Sequence, residues 1–366
     1  MENPNQALIQ QNNFLASQNK LLEQINGMLM RQNPELQSNE IFIENIDRDE
    51  MRNGFLVTSH RKKLWNVQIG LIKEFDRICK KHNLKWFACG GTLLGAARHK
   101  GFIPWDDDVD VAMMRPEYNK FIKIASEEIK YPYFFDNWYN YTIESENIPE
   151  EKNAPKFQFI SLEQEMRMPY RWFTQWPSFR LRDSRTTLIE NGFGGVKTIH
   201  QGIWIDVFPF DIMPPFNEDK SKMNFEMLRE ILLATAVPRK LKEIMKDKQQ
   251  LLMAKDELNK FLKLPYRKRG AIFDDYAEKL FFQSEKVGDI RNYAIAKGWA
   301  YDTSDFDELV YLPFETIEVP APKNWDNVLK TQYGNWKEMK MTHVHTSEWS
   351  ADIPYTEYYR TSAFMR

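Results

Sequence analysis

The chain has 366 residues, of which 50 are basic and 52 acidic, so its formal net charge is −2. At roughly 150 residues per domain, this length predicts two domains or one elaborated domain and excludes a small disulfide-stapled scaffold. The balanced charge excludes a protein whose overall basic field holds nucleic acid or an anionic membrane. A phosphate-bearing ligand would therefore have to be bound by a local group of cations.

The cysteine content predicts a reducing compartment. Cys79 and Cys89 are the only two cysteines of the sequence, and neither has a zinc-type spacing to a histidine. The sequence contains no long apolar run, and its first residues lack the basic-then-apolar pattern of a signal peptide. We therefore expect no transmembrane segment and a location in the cytoplasm or at the cytoplasmic face of a membrane.

A heptad pattern marks residues 5–33, where leucine recurs every seven residues and asparagine falls at the *a* positions if leucine takes *d*. The leucines are Leu8, Leu15, Leu22 and Leu29, and the asparagines are Asn12, Asn19 and Asn26. This pattern predicts an amphipathic coiled-coil helix that self-associates or docks on a partner. The alternative is a disordered polar leader. Residues 36–54 are turn-prone and acidic, which predicts a linker that closes an N-terminal region of residues 1–54.

Hydrophobic periodicity predicts the elements that follow. The sequence favours a helix over 60–82, a buried strand over 85–89, a helix that starts after Thr92, a strand over Val109–Met113, a helix near 116–130, and a strand over Gly202–Phe210. In the last strand, Ile203, Ile205 and Val207 share one face, and Trp204, Asp206 and Phe208 share the other. Residues 216–300 have a helical pattern, and residues 301–366 return to strand-and-turn texture. The predicted fold class is α+β, with a core over 55–215 that the C-terminal segment completes.

The densest chemical signal is a group of aspartates that leads into the strand at Val109. Side chains at i and i+2 of a strand project to the same side, so Asp108 and Asp110 present their carboxylates together. Two such oxygen ligands suit Mg²⁺ or Mn²⁺, and Asp106 can add a third ligand from the loop.

Three structural alternatives compete with this metal site. The first is a solvated acidic turn, which the hydrophobic flanks disfavour. The aspartates could cap the following helix, although the apolar residues between them favour a strand. An EF-hand loop would place Asp106, Asp108 and Asp110 at its first, third and fifth positions, but Val111 then stands where the sharp turn needs glycine.

A glycine pair, Gly90-Gly91, lies between the predicted strand and helix. Such a pair lets backbone approach a ligand closely, and a helix N-terminus offers N–H groups to phosphate. Arg98, His99 and Lys100 lie between this turn and the aspartates and supply local positive charge. A tight turn beside surface residues is the alternative interpretation.

Asp206 is the candidate third carboxylate. It lies on a strand whose opposite face is apolar, so its charge is costly to bury unless a cation compensates for it. Three carboxylates could hold the metal ions that assist a phosphoryl displacement. The alternative is that Asp206 pairs with a nearby arginine.

The stretch from Gly90 to Asp110, GGTLLGAARHKGFIPWDDDVD, closely resembles the signature of the LicD family, the phosphocholine and polyol-phosphate transferases related to fukutin. Further matches to this family are 180–187, 202–211, 319–323 and 329–334, which extend the resemblance over about 55–340. The resemblance implies a nucleotidyltransferase-like core with a short mixed sheet and a helical insertion. It also implies that Asp108, Asp110 and Asp206 are the catalytic and metal-binding carboxylates.

The resemblance further implies a transferase of substituted phosphate groups. It would move phosphocholine or a polyol phosphate from a CDP-linked donor to a hydroxyl of a cell-surface glycan, such as teichoic acid or lipopolysaccharide, and release CMP. The donor pyrophosphate would lie on the metal ions and the turn of Gly90, Gly91 and Thr92. The candidates to hold phosphate oxygens are Lys156, Arg180 and Arg182, and His343 and His345 are candidates to act on the substrate.

Two other functions remain open from the residues themselves. The first is a sugar-nucleotide glycosyltransferase that uses Asp108-Val109-Asp110 as its metal motif, against which the glycine pair argues. The second is a non-catalytic glycan-binding scaffold. The headgroup of the donor, whether choline, ribitol, glycerol or another alcohol, does not follow from these motifs.

Aromatic residues make up 14% of the sequence and are concentrated in two clusters, 131–141 and 170–179. Core packing explains such clusters in most proteins. Because both lie between the aspartate pair and Asp206, they could also stack on a sugar or surround a quaternary ammonium. We expect Trp138 and Trp172 to contribute to substrate binding.

Overall fold

A computed structural model describes residues 40–137, 178–189, 200–212, 266–281, 285–289, 299–339 and 348–355. The strands are β1 (Glu50–Arg52), β2 (Phe55–Val57), β3 (Phe87–Ala88), β4 (Asp110–Met114), β5 (Tyr133–Asp136), β6 (Phe179–Asp183), β7 (Thr187–Ile189), β8 (Ile203–Ile212), β9 (Lys286–Gly288), β10 (Tyr301–Asp302), β11 (Leu309–Phe314), β12 (Ile317–Pro322) and β13 (Glu348–Ser350). The helices are α1 (Ser59–Lys81), α2 (Gly90–His99), α3 (Arg115–Glu128), α4 (Tyr266–Leu280) and α5 (Trp325–Tyr333). The predicted α+β class is confirmed.

Helix α1 has the cap, the terminal charges and the apolar face that stabilise a helix. Thr58 caps its N-terminus, since the Thr58 hydroxyl accepts a hydrogen bond from the Arg61 N–H at 3.2 Å. Lys80 and Lys81 lie in the last turn, where positive charge offsets the helix dipole. The helix buries its predicted apolar face in the core, and its bounds agree with the predicted helix over 60–82.

The main sheet has seven strands and is centred on β8. One edge of β8 pairs in parallel with β4, which in turn pairs with β3 in antiparallel orientation. The other edge of β8 pairs first with β6 and then with β9, both antiparallel. Strands β5 and β10 extend the sheet beyond β6 and β9. This mixed arrangement brings the predicted aspartate strands side by side.

Strand β8 is buried along its whole length. Its even-numbered residues from Trp204 to Phe210 share one face, as the predicted alternation requires. The aspartate of that face, Asp206, is therefore enclosed by protein on a strand that the sequence already marked.

Some described segments differ from the predicted organisation. Part of the predicted linker packs on the molecule, because Phe42 and Ile43 join the hydrophobic core and β1 and β2 form a hairpin. The C-terminal region also contains a helix, α5, in addition to strands and turns. The heptad segment lies outside the described residues.

The aromatic clusters are described in part. Phe135 and Phe179 are buried, and their rings pack with centroids 5.0 Å apart. These two residues therefore serve the core, as the commoner explanation of the clusters requires. Trp138 and Trp172 lie outside the described residues.

A buried ionic cluster joins α3, β8 and α4. The Arg115 guanidinium is fully buried and donates to Asp211 at 2.6 and 2.7 Å and to Asp274 at 2.6 Å. Asn119 donates to the Asp274 carbonyl at 3.0 Å. The cluster ties the described part of the 216–300 region to the main sheet.

Within the part of the chain that the structure describes, none of the helices combines the length and apolar character that a membrane crossing needs.

Arg115→Met should destabilise the protein by about 3–5 kcal/mol, because it leaves two buried carboxylates without their cation. Urea unfolding measures this loss. Arg77→Met, which removes an exposed ion pair with Glu74, is the control and should lose about 0.5 kcal/mol or less.

The pH dependence of the loss is a second expectation. Burial already raises the pKa of Asp211, and loss of Arg115 raises it further. The deficit should therefore shrink as the pH falls from 7 toward 5, where protonation removes the buried charge. An equal loss in both variants would show that the cluster does not support the fold.

Candidate active site

A cavity of about 430 Å³ opens at the edge where β4 and β8 meet the N-terminus of α2. Carboxylates, one guanidinium, the glycine turn and aromatic rings line it, together with one cysteine and one glutamine. The lining residues are Cys89, Gly90, Gly91, Asp108, Asp110, Arg180, Asp206, Phe208, Phe210, Asp289, Trp299, Tyr301, Gln332 and Tyr333. All three aspartates predicted to be catalytic therefore share one cavity.

The sheet register places three charged side chains in a row. Asp110 on β4 is the direct partner of Asp206 on β8, and Asp206 is the direct partner of Arg180 on β6. Neighbouring strands lie about 4.8 Å apart, and directly opposed residues project to the same face. The row therefore has two carboxylates followed by one guanidinium.

Asp206 is 7% exposed and has a hydrogen-bond partner at each oxygen. Arg180 Nε donates to Oδ1 at 2.8 Å, and the Trp204 indole N–H donates to Oδ2 at 2.9 Å. The Arg180 guanidinium also lies over the Trp204 ring, 4.2 Å from its centroid. The ion pair that the sequence left open is thus present, and each oxygen keeps a second lone pair with which it can face the cavity.

The glycine turn leaves room for two carboxylates. Gly90 has φ +52°, in the left-handed region that favours glycine. A Cβ at Gly90 would lie 2.8 Å from Asp110 Oδ2, and a Cβ at Gly91 would lie 2.8 Å from Asp106 Oδ2. Glycine is required here because the carboxylates lie against the helix N-terminus, whose partial positive charge stabilises them.

Thr92 fixes this turn to the strand. Its hydroxyl accepts a hydrogen bond from the Asp110 N–H at 2.8 Å. Thr92 is buried and does not line the cavity. It therefore positions Asp110 and does not reach the cavity as a predicted substrate contact would.

The loop before β4 brings further carboxylates close together. Oxygen atoms of Asp106, Asp107 and Asp108 lie within 4.8 Å of one another. Burial, and then the charge of Asp108, raises the pKa of the Asp106 carboxyl well above its usual range. Asp106 also shares a hydrogen bond with Asp108, and it does not line the cavity. It therefore stands behind Asp108.

Helix α1 holds this loop through the backbone. Arg61 and Trp65 donate to the Asp106 carbonyl at 2.7 and 3.1 Å, and Gln68 donates to the Asp107 carbonyl at 2.8 Å. These three residues follow a spacing of four and three, so they lie on one face of the helix. The sequence showed this face only as a helical pattern, and its contacts with the loop required the tertiary structure.

Arg180 and Arg182 lie on the same face of β6, but they have different surroundings. Arg180 lines the cavity. Arg182 is 2% exposed, and it donates to Asp136 at 2.5 Å and to the Gly202 carbonyl at 3.0 Å. The Arg182 guanidinium is therefore engaged in a buried structural ion pair.

Arg98, His99 and Lys100 line a second cavity, of about 520 Å³, at the C-terminal end of α2. A helix of ten residues is about 15 Å long, so this cavity lies at the end of the helix opposite to the aspartates. Arg98 donates to the carbonyls of Trp336 and Glu338. Burial, and then the charge of Arg98, lowers the pKa of His99 to about 4, so His99 is neutral at pH 7.

Lys156, His343 and His345 lie outside the described residues.

The C-terminal half of the chain supplies cavity residues that the motif reasoning did not identify. Asp289, Trp299, Tyr301 and Tyr333 come from β9, β10, α5 and the segments beside them. Burial, and then the charge of Asp110, raises the pKa of the Tyr333 phenol, so this hydroxyl stays protonated and can donate a hydrogen bond. The sequence did indicate one of these residues, because the 329–334 match to the LicD family contains Tyr333.

Comparison with known proteins bears on the segment that carries most of this geometry. Residues 83–188 match the family model described as "LicD/FKTN/FKRP, nucleotidyltransferase domain". The resemblance to the LicD family is confirmed. The matched segment contains the glycine turn, Asp106, Asp108, Asp110 and Arg180, whereas Asp206 and the aromatic lining lie beyond it.

Curated relatives match the chain over short segments. The chain is 45% identical over 62 residues to the lipopolysaccharide cholinephosphotransferase LicD of *Haemophilus influenzae*, which is 17% of this chain and 23% of that protein. It is 36% identical over 72 residues to an uncharacterized protein of *Rickettsia prowazekii*, covering 19% and 27% of the two chains. An uncharacterized protein of *Rickettsia typhi* is 40% identical over 57 residues, covering 16% and 18%. The chain thus matches between 18% and 27% of the length of these relatives.

If the carboxylates hold the divalent cation that the sequence predicts, Gly91→Ala should weaken its binding by about tenfold or more, because the added Cβ would displace the Asp106 carboxyl and, through it, Asp108. Calorimetric titration with Mn²⁺ measures this change. Gly70→Ala is the matched control, since its Cβ would make an ordinary contact of 3.6 Å within α1 and should preserve or slightly raise stability. Unchanged Mn²⁺ affinity in Gly91→Ala would show that the glycine turn does not determine the position of the metal-binding carboxylates.

Proposed function

We propose that this protein is a metal-dependent transferase that moves a phospho-alcohol, phosphocholine or a polyol phosphate, from a CDP-linked donor to a hydroxyl of a cell-surface glycan and releases CMP. The observation that carries the proposal is the shared cavity of Asp108, Asp110 and Asp206 beside the glycine turn and Arg180. Three carboxylates, a helix N-terminus and a guanidinium together form an environment for a metal-bound phosphate.

The donor set fits Mg²⁺ or Mn²⁺. All the candidate ligands are carboxylate oxygens, which these hard cations prefer. Burial, and then the charge of Asp108, raises the pKa of Asp106, and a bound cation would relieve the repulsion between the two carboxylates. Asp108, Asp110 and Asp206 would hold the metal, with Asp106 orienting Asp108 from behind. Once bound, the metal would neutralise phosphate charge and favour displacement at phosphorus.

Residues of the chain would also bind the phosphate and accept the proton of the acceptor hydroxyl. Arg180 is placed to hold a phosphate oxygen, and the N–H groups at the start of α2 offer further donors. The acceptor hydroxyl oxygen forms a bond to the outer phosphorus, the pyrophosphate bond to the CMP oxygen breaks, and the hydroxyl proton passes to a base. Asp206 is the candidate base, since it lies in the cavity and its partners hold it in a fixed orientation.

The comparisons favour this class of reaction. One relative is named as a cholinephosphotransferase that acts on lipopolysaccharide, and the family model that matches residues 83–188 describes a nucleotidyltransferase domain. We extend both properties to this chain as part of the proposal, and we place the reaction in the cytoplasm, where nucleotide-linked donors are made.

Asp108→Asn should lower turnover by about 10²–10³-fold or more, because the asparagine removes a charge that the metal and the transferred phosphate require. Stability without added metal should be equal or slightly higher, since the repulsion with Asp106 is relieved. The measurements are CMP release with CDP-linked donors and candidate acceptors at saturating Mg²⁺ or Mn²⁺, together with thermal melts.

Asp275→Asn is the matched control, since it removes an exposed carboxylate that pairs with Lys279 on α4. Its turnover should equal that of the unmodified protein, and a chelator should abolish turnover in both. Normal activity of Asp108→Asn with added metal would refute the site assignment.

Product analysis separates the other two functions. A glycosidic bond with release of a nucleoside diphosphate would establish a sugar-nucleotide glycosyltransferase that uses the same aspartates. No product and no Mn²⁺ binding would point to a non-catalytic glycan-binding scaffold.

A further inference from the structure

The second cavity, of about 520 Å³, is built from parts of the chain that are far apart in sequence. The hairpin of β1 and β2 contributes Met51, Arg52 and Asn53, and the turn between β11 and β12 contributes Glu315 and Thr316. The other lining residues are Glu44, Arg98, His99, Lys100, Phe102 and Pro104. The volume lies within the range of about 300–1,000 Å³ that is usual for small-molecule sites.

The lining contains both cations and carboxylates. The cations are Arg52, Arg98 and Lys100, and the carboxylates are Glu44 and Glu315. The Glu315 carboxylate accepts hydrogen bonds from the Arg52 guanidinium at 2.6 Å and from the Phe102 N–H at 3.1 Å. Glu50, outside the lining, also contacts Arg52, and it pairs with the buried Lys62 at 3.1 Å. The charges around Arg52 are therefore balanced, and those of Arg98 and Lys100 have to be considered separately.

Arg98 has no carboxylate partner among the described residues. Its Nη1 donates to the carbonyls of Trp336 and Glu338 at 3.1 Å each, and its Nε donates to His99 Nε2 at 2.9 Å. The imidazole is a neutral acceptor, because burial, and then the charge of Arg98, lowers the pKa of His99 to about 4. Burial also lowers the pKa of the Arg98 guanidinium, as expected of a half-buried cation without a counterion.

Lys100 adds a second positive charge at the edge of the cavity. Its backbone ends α2 in the left-handed conformation, with φ +57°, and its carbonyl accepts a hydrogen bond from the Glu315 N–H at 2.8 Å. Lys100 is exposed, and the described residues place no carboxylate within ion-pair distance of its ammonium. The partial charge of the helix C-terminus and the exposed Glu44 offset only part of these two cations. Arg98 and Lys100 therefore favour an anion between them.

The other lining groups favour a sugar as the carrier of this anion. Asn53 and Thr316 are exposed and offer an amide and a hydroxyl, which suit the hydroxyl groups of a sugar. A nucleotide would instead need an open ring face on which its base could stack. Among the described lining residues, Phe102 has the one phenyl ring, which is buried and stacked on Trp65.

This cavity is distinct from the candidate active site. The two lie at opposite ends of α2, a helix of about 15 Å, and their described linings share no residue. They are nevertheless connected through the chain. Tyr333 lines the candidate active site, and Trp336 and Glu338, a few residues later, accept hydrogen bonds from Arg98.

We propose that the second cavity binds an anionic sugar, whose phosphate or carboxylate group lies against Arg98 and Lys100 and whose hydroxyl groups bond to Asn53 and Thr316. The same chemistry belongs to a free sugar phosphate and to an acidic unit of a glycan, and kinetic competition separates these two sources. The site does not depend on the proposed transfer reaction.

Calorimetric titration at low ionic strength tests the site without turnover. The probes are glucose 6-phosphate, glucose and inorganic phosphate, each with a chelator present so that no metal ion at the aspartates can bind them. Glucose 6-phosphate should bind about tenfold or more tightly than either of the other probes, because each of those makes only part of the contacts. Equal affinity for glucose 6-phosphate and inorganic phosphate would overturn the sugar site, and so would the absence of glucose 6-phosphate binding.

Two substitutions of Lys100 keep a long unbranched side chain and differ in charge. Lys100→Met should weaken glucose 6-phosphate binding about fivefold or more, whereas Lys100→Arg should stay within about twofold of the unmodified protein. Lys123→Gln, which removes an exposed ammonium of α3 outside the lining, is the control and should leave the affinity unchanged. An unchanged affinity in Lys100→Met would contradict the proposal.

Glu44→Gln tests the charge balance in the opposite direction. It removes an exposed carboxylate of the same lining, so the affinity for glucose 6-phosphate should rise about threefold. A variant that merely disturbed the fold would bind less tightly, and a fall in affinity would therefore contradict the electrostatic assignment. Thermal melts confirm that each variant is folded.

Kinetic competition identifies the source of the anion. In the assay of CMP release, competition between glucose 6-phosphate and the acceptor that disappears in Lys100→Met would assign the cavity to an acidic unit of the acceptor glycan. A change in turnover without competition, also lost in Lys100→Met, would assign it to a free sugar phosphate. If the unmodified protein turns over no CDP-linked donor, the proposed function is refuted, while the calorimetric titrations still decide the sugar site.

Discussion

The constraint on which the site depends is the accumulation of negative charge in a partly buried cavity. Asp106, Asp107 and Asp108 approach one another within 4.8 Å, and Asp110 and Asp206 lie side by side on neighbouring strands. Carboxylates held this closely repel one another, and burial strengthens the repulsion. The surrounding structure compensates for it in several ways, since a guanidinium pairs with Asp206, a helix N-terminus faces Asp110, and glycines leave space where side chains would collide. A divalent cation at this site would complete the compensation.

The fold supplies rigid support for this charge. Parallel pairing of β4 with β8 aligns Asp110 with Asp206, and α1 holds the aspartate loop through its backbone carbonyls rather than its carboxylates. These contacts with α1 do not use the carboxylate groups of the loop. Because these hydrogen bonds hold the loop backbone, the loop keeps its conformation despite the repulsion between its successive carboxylates.

The cavity combines parts of different origin along the chain. The segment that matches the LicD family contributes the glycine turn, the acidic loop and Arg180. The later segments contribute Asp206, Asp289 and the aromatic lining. The family match therefore covers only part of the cavity.

Local sequence patterns determined the elements and the candidate site residues. The period of α1, the alternation along β8 and the spacing of Asp108 and Asp110 all depend on neighbouring residues, so each could be predicted from the sequence. The α+β class and the resemblance to the LicD family followed in the same way. Only the tertiary structure decided which distant residues meet. It paired Arg180 with Asp206, engaged Arg182 with Asp136, and placed Arg98, His99 and Lys100 at the opposite end of α2. It also placed aromatic residues at the cavity that differ from the clusters the composition had indicated. These outcomes depend on strand order and register, which long-range packing fixes and local periodicity does not encode.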